Sequence, residues 1–293
     1  MTFNQLCSRI DAAYNDRRES KAIAVMLLEE CFSMSMADAL CGGVEQLGGE
    51  AAERLEQMTC RLESGEPVQY VLGWADFCGR RFRVGSGVLI PRPETEELCR
   101  WIISDWSHDT SPEGIEQPKK VLDIGTGSGC IAVTLAKDMA GADVYAWDIS
   151  DHAVRQALLN AIEYEARVLV ERKDILNTKS DSRMWDVIVS NPPYICNKER
   201  AEMSRNVLEH EPHLALFVPD DDPLLFYKAI AGFAKGHLAP DGSLYLEINE
   251  AFANETAAML RQEGFGDVII RNDIYGKARM IRAERKTHEE TTD

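Results

Sequence analysis

The hydrophobic positions of the first seventy residues recur at intervals of three and four, which is typical of helices that bury one face. Leu6, Ile10 and Ala13 mark that face in a first helix. In a second helix we expect the buried face to comprise Ala22, Val25, Met26 and Glu29. Two further helices are expected over 37–40 and 50–61. Residues 1–73 are therefore predicted to form a small helical domain.

Residues 74–92 alternate as a β-hairpin does, and we expect them to link this domain to the rest of the chain. Phe77 and Phe82 are the apolar positions of the hairpin, and Gly79 lies at its turn. Pro93 then suits the first turn of a helix, where its missing N–H costs no hydrogen bond. Leu98 and Trp101 lie on the apolar side of that helix.

After residue 120 the pattern changes to apolar strands that alternate with helices. Strands are predicted near 120–124, 143–147, 168–173, 185–190, 243–248, 267–271 and 277–283. Helices are predicted near 130–139, 151–164, 224–235 and 251–262. This alternation predicts an α/β fold with a doubly wound, mostly parallel, seven-stranded sheet. The main domain is expected over 93–283, with a polar loop at 107–119 and a charged, frayed tail at 284–293.

The acidic composition argues against a nucleic-acid binder. The 293 residues include 49 acidic and 32 basic side chains, which gives a formal net charge of −17. Phosphate backbones repel such a chain, so we expect no direct nucleic-acid partner. Arg80, Arg81 and Arg83 are the one candidate basic patch, and they are as easily the solvated edge of the hairpin.

Cysteine spacing and apolar run lengths predict a cytoplasmic enzyme without a metal. None of the eight cysteines forms a Cys-x-x-Cys pair, so zinc has no support, and scattered thiols suggest a reducing compartment. The apolar run 22–28 is too short to span a membrane, and we expect no signal peptide, because the first residues lack a basic region followed by an apolar core. Asp222 precedes Pro223, so we expect it to cap the next helix rather than to bind a cation. We also expect a monomer.

A glycine-rich turn follows the first strand of the main domain. The sequence from Val121 to Cys130 places Gly125, Thr126, Gly127, Ser128 and Gly129 between that strand and a helix. Glycines let the backbone approach a ligand closely, and the helix start offers free N–H groups. Asp148 closes the next strand, where a carboxylate can accept both hydroxyls of a ribose. A nucleoside cofactor is therefore predicted at this edge of the sheet.

The tetrapeptide Asn191-Pro192-Pro193-Tyr194 follows the strand near 185–190, at its carboxyl end. Two acceptors, the Asn191 side-chain carbonyl and the Pro192 backbone carbonyl, suit a planar group that carries an NH2, and Tyr194 offers a ring to cover one face. Amides and the amino groups of adenine or cytosine fit this description. The alternative is a strand-ending Pro-Pro turn with a packed tyrosine.

Together, the turn, Asp148 and the tetrapeptide resemble the class I S-adenosylmethionine-dependent methyltransferases that act on amino and amide nitrogens. The segments 65–73, 77–82, 87–96 and 211–216 narrow the resemblance to the peptide-chain release factor glutamine N5-methyltransferases. Members of that family convert S-adenosylmethionine to S-adenosylhomocysteine and methylate the glutamine of the Gly-Gly-Gln loop of release factors, which tunes translation termination. The release factor is then the protein partner.

The resemblance also implies roles for further residues. An acid at the position of Asp174 contacts the adenine amino group in this fold family, and Ile175 beside it is placed to press on the ring. Arg92 and Thr95 are expected near the active site, and the helical domain is expected to dock the substrate. The last strand is expected antiparallel at the end of the sheet.

Three other classes of protein remain as alternatives. A DNA adenine or cytosine amino methyltransferase shares the Asn-Pro-Pro-Tyr logic, but the net charge opposes it. A nicotinamide-dependent oxidoreductase would carry Gly-x-Gly-x-x-Gly, whereas this chain has Gly-x-Gly-x-Gly. A non-catalytic binding module would not need the intact glycines, Asp148 and Asn191.

Overall fold

The helical periodicity near the amino terminus produces six helices in the computed structural model, which describes residues 1–106, 118–178 and 181–285. They are α1 Phe3–Tyr14, α2 Arg17–Phe32, α3 Met36–Leu40, α4 Gly43–Gln46, α5 Gly49–Glu63 and α6 Val68–Leu72. Thr2 and Asp16 begin the first two helices by accepting backbone N–H hydrogen bonds, which are otherwise unsatisfied at a helix start. Of the predicted loop at 107–119 the structure describes only 118–119, and of the predicted frayed tail at 284–293 it describes only 284–285. Those two tail residues end the last strand of the sheet, so the prediction was wrong for them.

The described residues divide into two compact units. The first comprises Met1–Trp74, Val84–Ser86 and Glu202–Glu211, and the second comprises Ala75–Arg83, Gly87–Ala201 and Pro212–Asp293, insofar as they are described. Sequence periodicity did not predict that 202–211 belongs with the helices of the first unit. The expected boundaries 1–73, 74–92, 93–283 and 284–293 stay a prediction about functional domains.

The predicted buried face of α2 was wrong. Ile23, Ala24, Leu27 and Leu28 are buried, whereas Met26 is 41% exposed. The cause is the uninterrupted apolar run at 22–28, which makes both sides of the helix apolar, so that periodicity cannot identify the buried one.

Within the described part of the second unit, seven strands pair in the order β10-β11-β9-β6-β3-β4-β5. The hairpin supplies β1 Trp74–Phe77 and β2 Arg80–Arg83. The sheet strands are β3 Lys120–Ile124, β4 Asp143–Asp148, β5 Val168–Arg172, β6 Trp185–Ser190, β9 Leu238–Glu247, β10 Phe265–Asn272 and β11 Ala278–Arg285, and the short strands β7 Ile195–Cys196 and β8 Phe217–Val218 pair separately. The helices of this unit are α7 Pro93–Trp106, α8 Cys130–Asp138, α9 Asp151–Glu163, α11 Leu225–His237 and α12 Ala253–Gln262, whereas α10 Arg205–His210 belongs to the first unit.

The five adjacent strands β9, β6, β3, β4 and β5 are parallel to one another, which confirms the predicted α/β class. Along each of these strands, alternate side chains enter opposite cores. Val121 and Val187 pack with α7 and α8, and Leu122 and Ile188 pack with α11 and α12. A sheet covered by helices on both faces needs such apolar runs, which is why the strands were recognisable.

The last strand was expected antiparallel at the end of the sheet. β11 is antiparallel, but it lies between β9 and β10, so β10 forms the edge. The register places Met280 of β11 beside Glu247 at the end of β9. A local pattern identifies a strand but not its neighbours, which explains this error.

The predicted cap at Asp222 was also wrong. α11 begins at Leu225, and Leu224 is its cap residue. The Asp222 carboxylate instead accepts a hydrogen bond from Lys228 at 2.6 Å. By contrast, the predicted helix start at Pro93 is confirmed.

Candidate active site

β4 and β5 follow β3 on one side, whereas β6 lies on the other side of β3, so the strand order reverses between β3 and β6. Open α/β sheets bind ligands at such a reversal. The carboxyl ends of both strands lie side by side there, because Ile124 pairs with Ser190. The glycine turn leaves β3 at this point, and Asn191 leaves β6. The structure therefore brings the two principal sequence motifs to one crevice.

The glycine turn is held by β4 and by its own side chains. The N–H groups of Gly125 and Thr126 donate to the Trp147 carbonyl at 2.8 and 2.9 Å. Gly125 and Gly127 have φ of 75° and 55°, a region that favours glycine, and an added Cβ at either would meet no atom within 4 Å. These two glycines border open space.

Asp123 is fully buried beneath the turn and accepts a hydrogen bond from the Thr126 hydroxyl at 2.6 Å. Burial raises its pKa to about 7. This hydrogen bond ties Asp123 to the turn.

Asp148 reaches the same crevice from the end of β4. One carboxylate oxygen accepts from the Gly127 N–H and the other from the Ser150 N–H, both at 2.9 Å. Each oxygen keeps a further lone pair, so the group can accept two more donors. Burial raises the pKa of Asp148.

A cavity of about 370 Å³ lies at these strand ends. Its volume is in the range of small-molecule sites. The predicted site residues that line it are Gly125, Gly127, Asp148, Asp174, Ile175, Asn191, Pro192 and Pro193. Most of the predicted residues therefore surround a single space.

Four predicted site residues do not line that cavity. Thr126 and Ser128 are buried in the turn. A Cβ on Gly129 would lie 3.0 Å from the Ala157 Cα, so this glycine allows α8 and α9 to pack closely. Tyr194 packs against the core beside α11, and its hydroxyl donates to Glu247 at 3.2 Å.

Asp174 and Ile175 lie at the cavity wall beyond β5. One Asp174 oxygen accepts from the Leu176 N–H at 2.9 Å, and the other accepts from the Asn177 side chain at 2.6 Å. The acid thus stabilises its own turn while it borders the cavity.

Asn191 begins a chain of hydrogen bonds through Thr95, which was expected near the active site, to Glu247, which was not. Its side-chain NH2 donates to the Thr95 hydroxyl at 3.1 Å, and that hydroxyl donates to Glu247 at 2.6 Å. Tyr194 donates to the other oxygen of Glu247. Among the described residues, nothing donates to the Asn191 side-chain carbonyl, which is left as an acceptor at the cavity.

Glu247 was not among the predicted site residues, although a signal for it exists. It ends β9, which runs parallel to β6, so its side chain lies at the same sheet edge as Asn191. It is 1% exposed, and burial raises its pKa to about 7. A buried acid at the end of a parallel strand is a reasonable site candidate.

Gly87, Leu89 and His152 also line the cavity without having been predicted to do so. An added Cβ at Gly87 would lie 3.0 Å from the His152 ring, so the segment passes close to the start of α9. This segment belongs to 87–96, one of the stretches that carry the family resemblance, but the sequence analysis did not predict that it lines the cavity.

The arginines of the hairpin do not form a free basic patch. Arg80 pairs with Asp138, Arg81 with Asp76, and Arg83 with Glu163. In the part of the chain that the structure describes, no group of three or more His, Cys, Asp or Glu side chains is arranged to hold a metal. No helix over the same residues has the length and apolar character needed to cross a membrane.

Two family models match the chain. The methyltransferase small domain matches residues 111–214, and the PrmC N-terminal domain matches residues 3–73. The first matched range contains the glycine turn and Asn-Pro-Pro-Tyr, and the second contains the six amino-terminal helices.

Relatives named release factor glutamine methyltransferase are similar over nearly the whole chain. One from Bacteroides thetaiotaomicron is 42% identical over 91% of this chain and 93% of its own. Another from Flavobacterium psychrophilum is 41% identical over 92% of this chain and 94% of its own. A solved methyltransferase from Pyrococcus furiosus has a TM-score of 0.50 at 16% identity, covering 72% of this chain and 91% of that one, which shows the shared fold.

Proposed function

The chain belongs to the release factor glutamine methyltransferase family, and we propose that it methylates the side-chain nitrogen N5 of the glutamine in the Gly-Gly-Gln loop of peptide-chain release factors. The methyl donor in this proposal is S-adenosylmethionine, and S-adenosylhomocysteine is the product. The observation that carries the proposal is Asn191, which lines the cavity at the glycine turn and whose NH2 is engaged by Thr95, so that among the described residues its carbonyl is left as an acceptor.

The cavity wall fits the proposed cofactor. Gly125 and Gly127 border open space without a Cβ, which suits close approach of the amino-acid portion. Asp148 retains lone pairs for the ribose hydroxyls. Asp174 and Ile175 are assigned to the adenine, and Thr126, Ser128 and Gly129 support the turn from behind.

When bound, S-adenosylmethionine supplies an electrophilic methyl group on a sulfonium centre. An amide nitrogen is a poor nucleophile because its lone pair is delocalised, so its position matters greatly. Asn191 and the Pro192 carbonyl would each accept one N–H of the glutamine amide and aim the nitrogen at the methyl carbon. Pro193 and Tyr194 hold these two acceptors in place.

Charge and protons balance without a strong base. The nitrogen gains a bond to the methyl carbon as the bond from carbon to sulfur breaks, and positive charge develops on the nitrogen. The two carbonyl acceptors stabilise that charge, as donors stabilise an oxyanion. The N-alkylated amide then releases one proton to solvent.

The first unit is proposed to dock the release factor, and the hairpin is proposed to link it to the catalytic part. A monomer without a nucleic-acid partner is also part of the proposal. It is supported by the net charge of −17 and by the paired state of the hairpin arginines. The same observations disfavour a DNA amino methyltransferase, which must hold a phosphate backbone.

Mass spectrometry of a release factor tests this proposal directly. The factor is incubated with the protein and S-adenosylmethionine, and we expect one added methylene on the loop glutamine. A release factor whose glutamine is changed to asparagine is the matched control and should gain nothing. Methylation of DNA in place of the release factor would overturn the proposal.

A further inference from the structure

The hydrogen bonds from Asn191 to Glu247 have a direction, and one carboxylate fixes it. Thr95 has a single hydroxyl hydrogen, and it points to Glu247 at 2.6 Å. The Thr95 oxygen can therefore only accept from Asn191, whose NH2 donates to it at 3.1 Å. Because the NH2 faces Thr95, the carbonyl of Asn191 faces the other way.

An ionised carboxylate accepts hydrogen bonds and never donates them. As long as Glu247 is ionised, Thr95 and Tyr194 must both donate to it, and the direction of the whole chain is set. A proton on Glu247 allows the carboxyl to donate to Thr95. The hydroxyl of Thr95 is then free to donate to Asn191, and the amide can turn over.

We propose that Glu247 and Thr95 are positioning residues that hold the Asn191 side chain with its carbonyl toward the acceptor amide. This inference rests on the proposed function. A reversed Asn191 would present its NH2 to the NH2 of the substrate, two donors that cannot pair. Neither Glu247 nor Thr95 needs to contact the substrate for this role.

The groups around Glu247 allow both its protonated and its ionised form. It is 1% exposed, and Thr95 is 3% exposed, so water does not compete for their hydrogen bond. Arg279 on β11 is the cation that favours the ionised form, and Glu94 on α7 opposes it. The hydroxyls of Tyr194 and Tyr227 also interact with this carboxyl.

The pKa of Glu247, raised by burial to about 7, agrees with such a role. A carboxyl with a raised pKa is protonated below that value and ionised above it. The fraction of molecules with the productive Asn191 orientation therefore rises as the pH increases through about 7. Burial also raises the pKa of Asp148, so the affinity for S-adenosylmethionine has to be measured alongside.

The experiment compares Thr95→Val, Thr95→Ser and Glu247→Gln with the unchanged protein. Thr134→Val is the matched control, because Thr134 is also buried, lies outside the site, and its hydroxyl has no hydrogen-bond partner among the residues that the structure describes. We expect kcat for release factor methylation to fall about a hundredfold in Thr95→Val, as when one preorganised polar group is lost. Thr95→Ser should restore most of it, and Thr134→Val should change nothing.

The pH profile of kcat separates positioning from packing. The unchanged protein should lose activity below about pH 7, tenfold for each pH step in the limit of a single proton. Glu247→Gln should be slow with no such limb, because glutamine has no proton to lose. Calorimetry with S-adenosylmethionine should give the unchanged Kd for all variants, which shows that the cofactor site survives.

A spectroscopic readout keeps the inference independent of activity. The side-chain ¹⁵N–¹H resonances of Asn191 should shift with pH near 7 in the unchanged protein and stay constant in Glu247→Gln. Wild-type activity and pH profile in Thr95→Val, or equal losses in Thr95→Val and Thr134→Val, would overturn the inference. If the unchanged protein methylates no release factor but the Asn191 resonances titrate as described, only the proposed function fails.

Discussion

At the residue scale, the orientation of the Asn191 side-chain amide decides whether its oxygen or its nitrogen is left to meet the substrate. Its nitrogen is engaged by Thr95, and its oxygen is left at the cavity. The Pro192 carbonyl lies on a stiff segment beside it, because proline fixes φ. A planar amide donor is therefore met by acceptors that are already in place before it arrives.

Replacing Asn191 by alanine should abolish methyl transfer and leave cofactor binding intact. The side chain supplies an acceptor for the reacting nitrogen, and losing one such group costs about a hundredfold or more in kcat. Single-turnover kinetics with a release factor measure the first effect, and calorimetry with S-adenosylmethionine measures the second. Equal loss of both would contradict the division of roles between Asn191 and the glycine turn.

Gly127 and Gly129 should respond differently to alanine. Both have positive φ, so each substitution is strained by about 1 to 2 kcal/mol. In Gly129→Ala the new Cβ also meets the Ala157 backbone at 3.0 Å, whereas in Gly127→Ala it enters open space. We expect the larger loss of thermal stability in Gly129→Ala and the larger loss of S-adenosylmethionine affinity in Gly127→Ala.

Thermal melting and calorimetry on the two glycine variants give both quantities. Stability losses of equal size would show that the approach of α8 to α9 tolerates a methyl group at this position.

At the element scale, the site is a property of where strands end. β3, β4, β6 and β9 are parallel neighbours, so their last residues converge on one edge of the sheet. Asp123, Asp148 and Glu247 each come from such an end, and burial raises the pKa of all three. Asp123 and Glu247 are buried and Asp148 is half-buried, and taking acids out of water in this way costs stability that a purely structural sheet would not give up.

Asp123→Asn should therefore stabilise the protein, and more so at high pH. The folded-state pKa of Asp123 is about 7 against 3.8 for the ordinary group. Between those values the folded state holds a proton that the unfolded state has lost, so its stability falls as the pH rises. The penalty is complete above about pH 7 and is at most about 4 kcal/mol. Asparagine carries no charge to bury and still accepts from Thr126.

Melting temperatures of the variant and the unchanged protein at pH 5 and pH 8 test this prediction. The difference between them should be small at pH 5 and larger, in favour of the variant, at pH 8. A difference that does not change with pH would mean that Asp123 is ionised, or protonated, across the whole range.

At the scale of the whole molecule, a net charge of −17 dominates long-range interactions. Charges of one sign repel each other in the folded protein, and salt screens that repulsion. The hairpin arginines do not offset it as a free patch, since each is paired with an acid. The molecule therefore offers its protein substrate an acidic environment and offers DNA little attraction.

Raising the salt concentration from 50 to 500 mM should increase the melting temperature, because screening weakens the repulsion between acids. Fluorescence anisotropy with duplex DNA should show no binding that becomes stronger as salt is lowered, which is the signature of phosphate contacts. Salt-dependent binding in the micromolar range would instead reopen the alternative of a nucleic-acid substrate.

The sequence by itself determined the α/β class, the strands that meet at the cavity, and eight of the residues that line it. These features rest on periodicity and on residues adjacent to strand ends, which are local properties. Only the tertiary structure decided which side of α2 is buried, where β11 enters the sheet, and that Thr95 meets Glu247, 152 residues away in the chain. Such contacts depend on strand order and register, and the hydrogen bonds that orient Asn191 exist only once both are set.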